Sequence, residues 1–341
     1  MAVIQINEFL ELAEENPVVD VRSPKEFNHG HIPGAVNIPL FNDEERAQVG
    51  TTYKQVSREE AITLGLEIVG PKMKDFVLKA KSLNLKDKLL VHCWRGGMRS
   101  ESMAWLFNTS DIESVTLHKG YKAFRNHALK YFSTSFRFVI LTGSTGSGKT
   151  EILNALKAEG EQVIDLEALA NHKGSVFGGL GKSNQPTTEQ FQNDLFWELA
   201  HQDVSKRIWL EDESIAIGKI FIPNDIWDQM RKSRLIRVEI SKQERVKRLV
   251  NEYGNFEAAD LEARIRKIEK KLGGQHMKEA IENLIAGNIA GTADTLLTYY
   301  DKAYSNALER KNKQLLESTY SDNFDATKIA NNVLSIAQNK I

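Results

Sequence analysis

With 341 residues, 41% hydrophobic and 27% charged, the chain is long enough for two domains that each bury a core. Its 45 Lys and Arg against 46 Asp and Glu give a net charge of −1, which excludes a protein basic all over and confines any nucleic-acid contact to local patches. A single cysteine excludes an internal disulfide and fits a reducing cytoplasm, and no apolar run is long enough to span a bilayer.

In chain order, MAVIQINEFLELAEENP reads as a strand and a short amphipathic helix. No basic region precedes an apolar one, so no signal peptide is expected. VVDV, KLLVHC and SVTLH then alternate as short strands with helical stretches at 72–83 and 99–108, which predicts an α/β unit with a mostly parallel sheet over residues 1–130. HALKYFSTSF (127–136) has no clear periodicity, and 131–136 is expected to be a linker. A second α/β unit follows over 137–341: strand 137–142, glycine-rich loop, helix 149–158, strand 162–165, and further strands at 207–210 and 235–240. After about residue 241 the pattern is almost wholly helical to the end, and no internal repeat or low-complexity tract is present.

GSTGSGKT fits G-x-x-x-x-G-K-[ST] over Gly143, Ser144, Thr145, Gly146, Ser147, Gly148, Lys149 and Thr150, with a strand leading in and a helix leading out. Glycines let successive main-chain N–H groups turn toward phosphate oxygens, and the helix N-terminus adds the positive end of its dipole. Lys149 is expected to reach the terminal phosphate and Thr150 to offer its hydroxyl to Mg²⁺. The pattern suits a nucleotide as well as any other diphosphate. In WLEDES, Asp212, flanked by Glu211 and Glu213, is a candidate second metal group, although an acidic strand end is as often only solvated. Asp165 and Glu167 end the strand after the P-loop helix, where open α/β sheets place substrate groups. The glycine-rich loop 170–186 follows, with Asn171, His172, Lys173, Gly174 and Ser175, and is a candidate substrate lid.

The lone cysteine lies in HCWRGGMRS. A single cysteine is more often a small buried hydrophobe, but Cys93 follows a strand, enters a glycine-bearing loop and precedes a helix start. There a thiolate is stabilised by loop amides, the helix dipole, Arg95 and Arg99, and Trp94, Gly96, Gly97, Met98 and Ser100 complete an oxyanion loop. Such a loop serves attack on sulfur, selenium or phosphorus and by itself does not choose among them.

DVRSPKEFNHGHIPGAVNIP (20–39), with Asp20, Arg22, Glu26, Phe27, Gly30, His31 and Pro33, resembles the signature of rhodanese domains, and KGYKAFR (119–125) resembles their closing segment. Common sulfurtransferase loops are one residue shorter than this C-x5-R loop, which with His92 also resembles protein tyrosine phosphatases. Joined to a P-loop unit that carries DLE (165–167), NHKGSVFGG (171–179), WLEDES (209–214) and KKLGGQ (270–275), the whole resembles the tRNA 2-selenouridine synthase family. The resemblance implies a rhodanese-like α/β domain followed by a P-loop NTPase-like α/β domain with a helical C-terminal region.

It also implies a tRNA substrate with 2-thiouridine at the wobble position. The sulfur is alkylated by geranyl diphosphate, and selenium from selenophosphate then displaces the S-geranyl group. Val176, Phe177, Phe191 and Trp197 are expected to line a groove for the prenyl tail, although aromatics at such spacings are usually core. Arg264, Arg266, Lys267, Lys270 and Lys271 form one candidate tRNA-phosphate surface; Arg231, Lys232, Arg234, Arg237, Lys242, Arg245, Lys247 and Arg248 form another. Two other readings stand beside this one: a C-x5-R phosphatase fused to a kinase-like domain, and a nucleotide-switched docking module. The reactive-thiol setting of Cys93 speaks against the second.

Overall fold

The computed structural model describes residues 2–83, 86–181, 183–310 and 315–340; Lys182 of the expected lid loop lies outside them. The chain forms two compact units, Met1–Phe132 with Glu189–Trp197, and Ser133–Thr188 with Glu198–Ile341.

The sheet of the first unit is built from β1 (Val3–Ile4), β2 (Val18–Asp20), β3 (Val36–Asn37), β4 (Leu89–His92) and β5 (Ser114–Leu117), in the order β1-β5-β4-β2-β3, with every pairing parallel. Every residue of β2 and β4 is buried, as parallel strands covered on both faces require. Phe76 and Ala80 of helix Met73–Lys81, and Met103, Ala104 and Phe107 of helix Met98–Thr109, pack on Val19, Val21, Leu89 and Val91. β4 is the central strand of the sheet and delivers Cys93 at its carboxyl end.

Beyond β2, Asp20 and Arg22 form a buried fork, with Arg22 Nε and Nη2 donating to Asp20 Oδ2 at 2.9 and 2.6 Å, and Nη2 also donating to Gly30 O at 2.6 Å. Burial pushes the Asp20 carboxyl up, but His92 and Arg22 together pull it below its ordinary 3.8. The guanidinium lies 3.9 Å from the Tyr121 ring centroid. Tyr121 O–H donates to Glu189 at 2.8 Å and accepts from Asn193 Nδ2 at 2.8 Å, so the segment Glu189–Trp197 is wired into this unit. Phe191, expected in a prenyl groove, is fully buried in that segment, which also carries Trp197; neither lines the cavity described below.

In the second unit β6 (Arg137–Thr142), β7 (Gln162–Val163), β8 (Arg207–Glu211), β11 (Arg234–Ile240) and β12 (Leu315–Ser321) form a parallel sheet in the order β12-β11-β6-β8-β7, while β9 (Ala216–Ile217) and β10 (Ile220–Phe221) make a small antiparallel pair. Helix Lys149–Ala158 matches its expected span, and Ile152, Leu153 and Leu156 on it meet Ile329, Ala330 and Val333 of helix Ala326–Lys340 over the sheet. A separate apolar cluster gathers Leu261, Ile265, Ala280, Ile281, Leu284 and Leu296 from helices Ala258–Arg266, Gly274–Ile285 and Ile289–Arg310.

Among the described residues β12 is the one strand after residue 241, in a region that is otherwise helical as expected. It pairs along the edge of β11, and Glu317, Ser318 and Tyr320 are exposed, so the strand carries no apolar alternation to reveal it. Among the described residues no helix is long and apolar enough to cross a membrane.

Asp20→Ala leaves the Arg22 guanidinium buried without its countercharge, which is expected to cost about 3–5 kcal/mol in urea unfolding at neutral pH. Because the folded carboxyl is depressed, its contribution is present above the unfolded value of 3.8 and lost as pH falls through the folded one. The gap between wild type and variant should therefore narrow in acid; a gap constant down to pH 2 would contradict this.

Candidate functional site

Cys93 lies where β4 ends, and its side chain is almost wholly buried. Gly97 N–H donates to Sγ at 3.4 Å and Ser100 Oγ–H at 3.2 Å, with the Arg95 main-chain N–H also directed at the sulfur. Burial alone raises the thiol, but Ser100, the Gly97 amide, Arg99 and the Arg95 amide outweigh it, leaving Cys93 below its ordinary 9.0. Gly96 sits at φ 61, and a Cβ there would meet Leu117 O at 2.5 Å and Lys119 N at 2.8 Å, so only glycine allows the loop to close against β5. Helix Met98–Thr109 starts directly behind the loop and aims its positive end at the thiolate.

The loop arginines differ. Arg99 is held by Glu26, with Nη1 to Oε2 at 2.7 Å and Nη2 to Oε1 at 3.3 Å. Glu26 belongs to the rhodanese-like signature, yet nothing in its spacing announced this pairing. The Arg95 side chain is exposed, as are Trp94 and Met98, so these three ring the mouth rather than line the cradle. His92 is fully buried beside Asp20, with Nε2 3.8 Å from Oδ2, and burial drives its imidazole below 6.5 against the pull of that carboxylate.

The second site is a cavity of about 900 Å³ in the P-loop unit. Gly143, Thr145, Gly146, Ser147, Gly148, Lys149 and Thr150 line it, while Ser144 does not, and its main-chain carbonyl accepts from Ser147 N–H at 3.0 Å. Gly146 and Gly148 have φ 79 and 77, and a Cβ on Gly148 would strike the Phe324 ring. Lys149 Nζ rests on Gly143 O at 3.2 Å. Ser147 Oγ is buried with no hydrogen-bond partner among the described residues, as a donor waiting for an anion would be.

β8 runs beside β6 with Glu211 opposite Leu141, which brings Glu211, Asp212 and Glu213 to the cavity with Glu167. Asp212 Oδ2 accepts from Thr142 Oγ1 at 2.6 Å, and the same hydroxyl lies 3.1 Å from Tyr304 Oη. Glu211 Oε1 accepts from Glu167 N–H at 2.7 Å, while Oε2 is buried without a partner among the described residues. Burial raises Glu211 well above 4.5, with Asp165 adding to it; burial, then Glu167, pushes Glu213 up to about 8.

Among the described residues no group of three or more His, Cys, Asp or Glu side chains is arranged to hold a metal alone. The hydroxyl of Thr150 and carboxylate of Asp212 face one cavity and fit Mg²⁺, which takes few protein ligands and completes its shell with phosphate oxygens and water. Crowded carboxylates, one with an orphaned oxygen, fit the same charge.

Away from the phosphate end, the cavity is lined by Phe177, Leu261, Ile265, Leu284, Ile289, Leu296 and other apolar side chains. Of the lid candidates, Lys173, Gly174 and Ser175 line the cavity, with Lys173 paired to Glu252. Asp165 instead caps helix Leu166–Leu169, accepting from Ala168 N–H at 2.7 Å, and Asn171 Nδ2 donates to Ser183 Oγ at 2.8 Å; neither these two nor His172 lines the cavity.

Comparison with known proteins bears on the chain as a whole. Residues 136–330 match the family model described as the tRNA 2-selenouridine synthase AAA domain, and residues 5–127 match the rhodanese-like domain. The chain belongs to the tRNA 2-selenouridine synthase family. Proteins named tRNA 2-selenouridine synthase are 36% identical to it in Bdellovibrio bacteriovorus, over 92% of this chain and 94% of that one, and 35% identical in Hydrogenovibrio crunogenus, over 96% and 98%. The relative in Nitrosomonas europaea is 33% identical over 87% of this chain and 90% of its own.

Family membership leaves the expected basic surfaces to be judged by geometry. Lys267, Lys270 and Lys271 are exposed, Arg264 is half-buried, and Arg266 is paired with Glu262 at 2.6 Å. The other cluster breaks up. Arg245 is buried, bound to Asp301 at 2.7 Å and donating to Thr145 O at 3.2 Å, and Arg248 lines the cavity; neither belongs to an exposed patch. Both were grouped by sequence proximity to surface lysines, and a helix of period 3.6 turns i and i+3 inward together while their neighbours face out.

Ser100→Ala removes the shortest hydrogen bond to Cys93 Sγ and is expected to move the pH midpoint of iodoacetamide alkylation upward. An unchanged midpoint in a folded variant would remove Ser100 from the thiolate cradle.

Proposed function

We propose that this tRNA-modifying enzyme replaces the sulfur of a wobble 2-thiouridine by selenium through an S-geranyl-2-thiouridine intermediate, using geranyl diphosphate and selenophosphate. The observation that carries the reading is the two-ended cavity. Phosphate-binding glycines, Lys149 and Thr150 form one end, and an apolar sleeve of Phe177, Leu261, Ile265, Leu284 and Leu296 forms the other. A nucleotide presents a polar base with hydrogen-bonding edges, for which that sleeve is poorly suited; a prenyl diphosphate presents hydrocarbon.

In the first step the thiocarbonyl sulfur forms a bond to C1 of the prenyl chain as the C1–O bond breaks, diphosphate leaves with the electron pair and the N3 proton of the base passes to water. P-loop amides, Ser147 and Lys149 hold that developing charge, and the apolar sleeve keeps water from C1. Thr150 and Asp212 would hold Mg²⁺, which would add charge neutralisation on the leaving group.

In the second step the Cys93 thiolate attacks C2 of the activated base and geranylthiolate departs. Selenium of selenophosphate then takes the place of Cys93 at C2, its phosphoryl group passing to water. The Ser100 and Gly97 contacts keep the thiolate ready for this role against the cost of burial. Exposed Lys267, Lys270 and Lys271 are the favoured contacts to tRNA phosphates.

Nucleoside mass spectrometry of 2-thiouridine tRNA incubated with protein, Mg²⁺, geranyl diphosphate and selenophosphate tests the scheme. S-geranyl-2-thiouridine is expected without selenophosphate, and 2-selenouridine when it is added. Cys93→Ser should keep the first product and lose the second, whereas Lys149→Ala should slow the first by roughly 100-fold. Unmodified base in folded wild-type protein with all reagents present would overturn the proposal.

A further inference from the structure

Arg248, on helix Lys242–Tyr253, stood among the expected tRNA contacts, yet it lines the P-loop cavity. Its Nε donates to Gly146 O at 3.2 Å and its Nη2 to Glu151 Oε1 at 2.6 Å. The guanidinium carbon lies 3.6 Å from the Phe324 ring centroid, and Nη2 is 3.0 Å from where a Cβ on Gly148 would stand. Arg248 is therefore clamped directly over the phosphate loop.

Arg245, one turn earlier, shows what a purely structural arginine looks like here. It is 6% exposed, and all three guanidinium nitrogens are committed, Nε to Ile240 O, Nη1 to Thr145 O and Asp301, and Nη2 to Asp301. Arg248 differs. Its Nη1 has no partner among the described residues, and its carboxylate partner Glu151 is 53% exposed, a kind of ion pair that water holds weakly. Ser147 Oγ, 1% exposed and lining the same cavity, is an independent orphan polar atom.

We propose that Arg248 is a diphosphate-binding residue, giving the P-loop a second cation that moves from Glu151 to the phosphate oxygens when ligand enters. The inference rests on the reading of the P-loop as a diphosphate site. A planar guanidinium, forked and permanently charged, matches phosphate oxygens in two-point contact, which the Lys149 ammonium does not. Phe324 and Gly146 O hold the group over the loop, so little side-chain freedom is lost on binding. Glu151 acts as a competitor that keeps the charge partnered in the empty site.

Isothermal titration of the full chain with inorganic diphosphate and Mg²⁺ tests this, with thermal melting of each variant as the folding control. Arg248→Gln is expected to weaken binding by about tenfold or more, the size of a lost charge-assisted hydrogen bond, and Arg248→Lys to fall between it and wild type. Glu151→Gln, which releases the cation, is expected to bind as tightly as wild type or more so. It also carries the test if Arg248→Gln fails to fold, since a purely structural Arg248–Glu151 pair predicts that Glu151→Gln weakens binding too. Unchanged affinity in a folded Arg248→Gln, or a loss in Glu151→Gln matching that in Arg248→Gln, overturns the proposal while leaving the diphosphate site standing. Wild-type protein that binds no diphosphate overturns both.

Discussion

A parallel strand that runs into a tight glycine-bearing turn and then a helix leaves main-chain N–H groups pointing into one small volume with no intrahelical partner. That unmet hydrogen-bonding demand organises both units. After β4 it surrounds the sulfur of Cys93, and after β6 it lines the phosphate end of a cavity. In each case positive φ glycines make the turn sharp enough, Gly96 in the first and Gly146 and Gly148 in the second. The sheets exist to hold those turns still: β4 and β6 are interior strands, paired on both sides, with buried side chains along nearly their whole length.

The two turns receive different charges because different side chains crowd them. Around Cys93 the nearby ions are largely neutralised in pairs, Asp20 with Arg22 and Glu26 with Arg99, so the thiolate is supported mainly by Ser100 and main-chain amides. Around the P-loop the balance is deliberately incomplete. Six carboxylates share the cavity wall with Lys149, Lys173 and Arg248, and Glu213 is pushed up to about 8 by burial and by Glu167. A site with both cations and excess carboxylates suits a ligand that brings phosphate and a divalent ion together. The apolar helices beyond it then decide what else that ligand carries.

Much of this was legible in the chain. Apolar runs of three and four residues marked β4 and β6, and helix 149–158 ended where expected, because buried parallel strands and a glycine loop leave strong local signatures. Edge strand β12 left none, since its outward residues are polar. The acidic trio after β8 was visible, but Thr142 and Tyr304 beside Asp212 were not, because they arrive from positions 70 and more residues away.

Sequence by itself determined which chemistry-bearing loops exist: a thiol in a C-x5-R turn and a phosphate-binding turn, each fixed by residues adjacent in the chain. Tertiary structure decided how each is used. It paired Arg99 with Glu26, turned Arg95 outward, drew Arg245 and Arg248 from an apparent basic surface to the P-loop, and assembled an apolar sleeve from helices between residues 258 and 310. The division follows from range. Backbone geometry and glycine content act over a handful of neighbours, whereas charge compensation and hydrophobic burial depend on which distant segments the fold brings together.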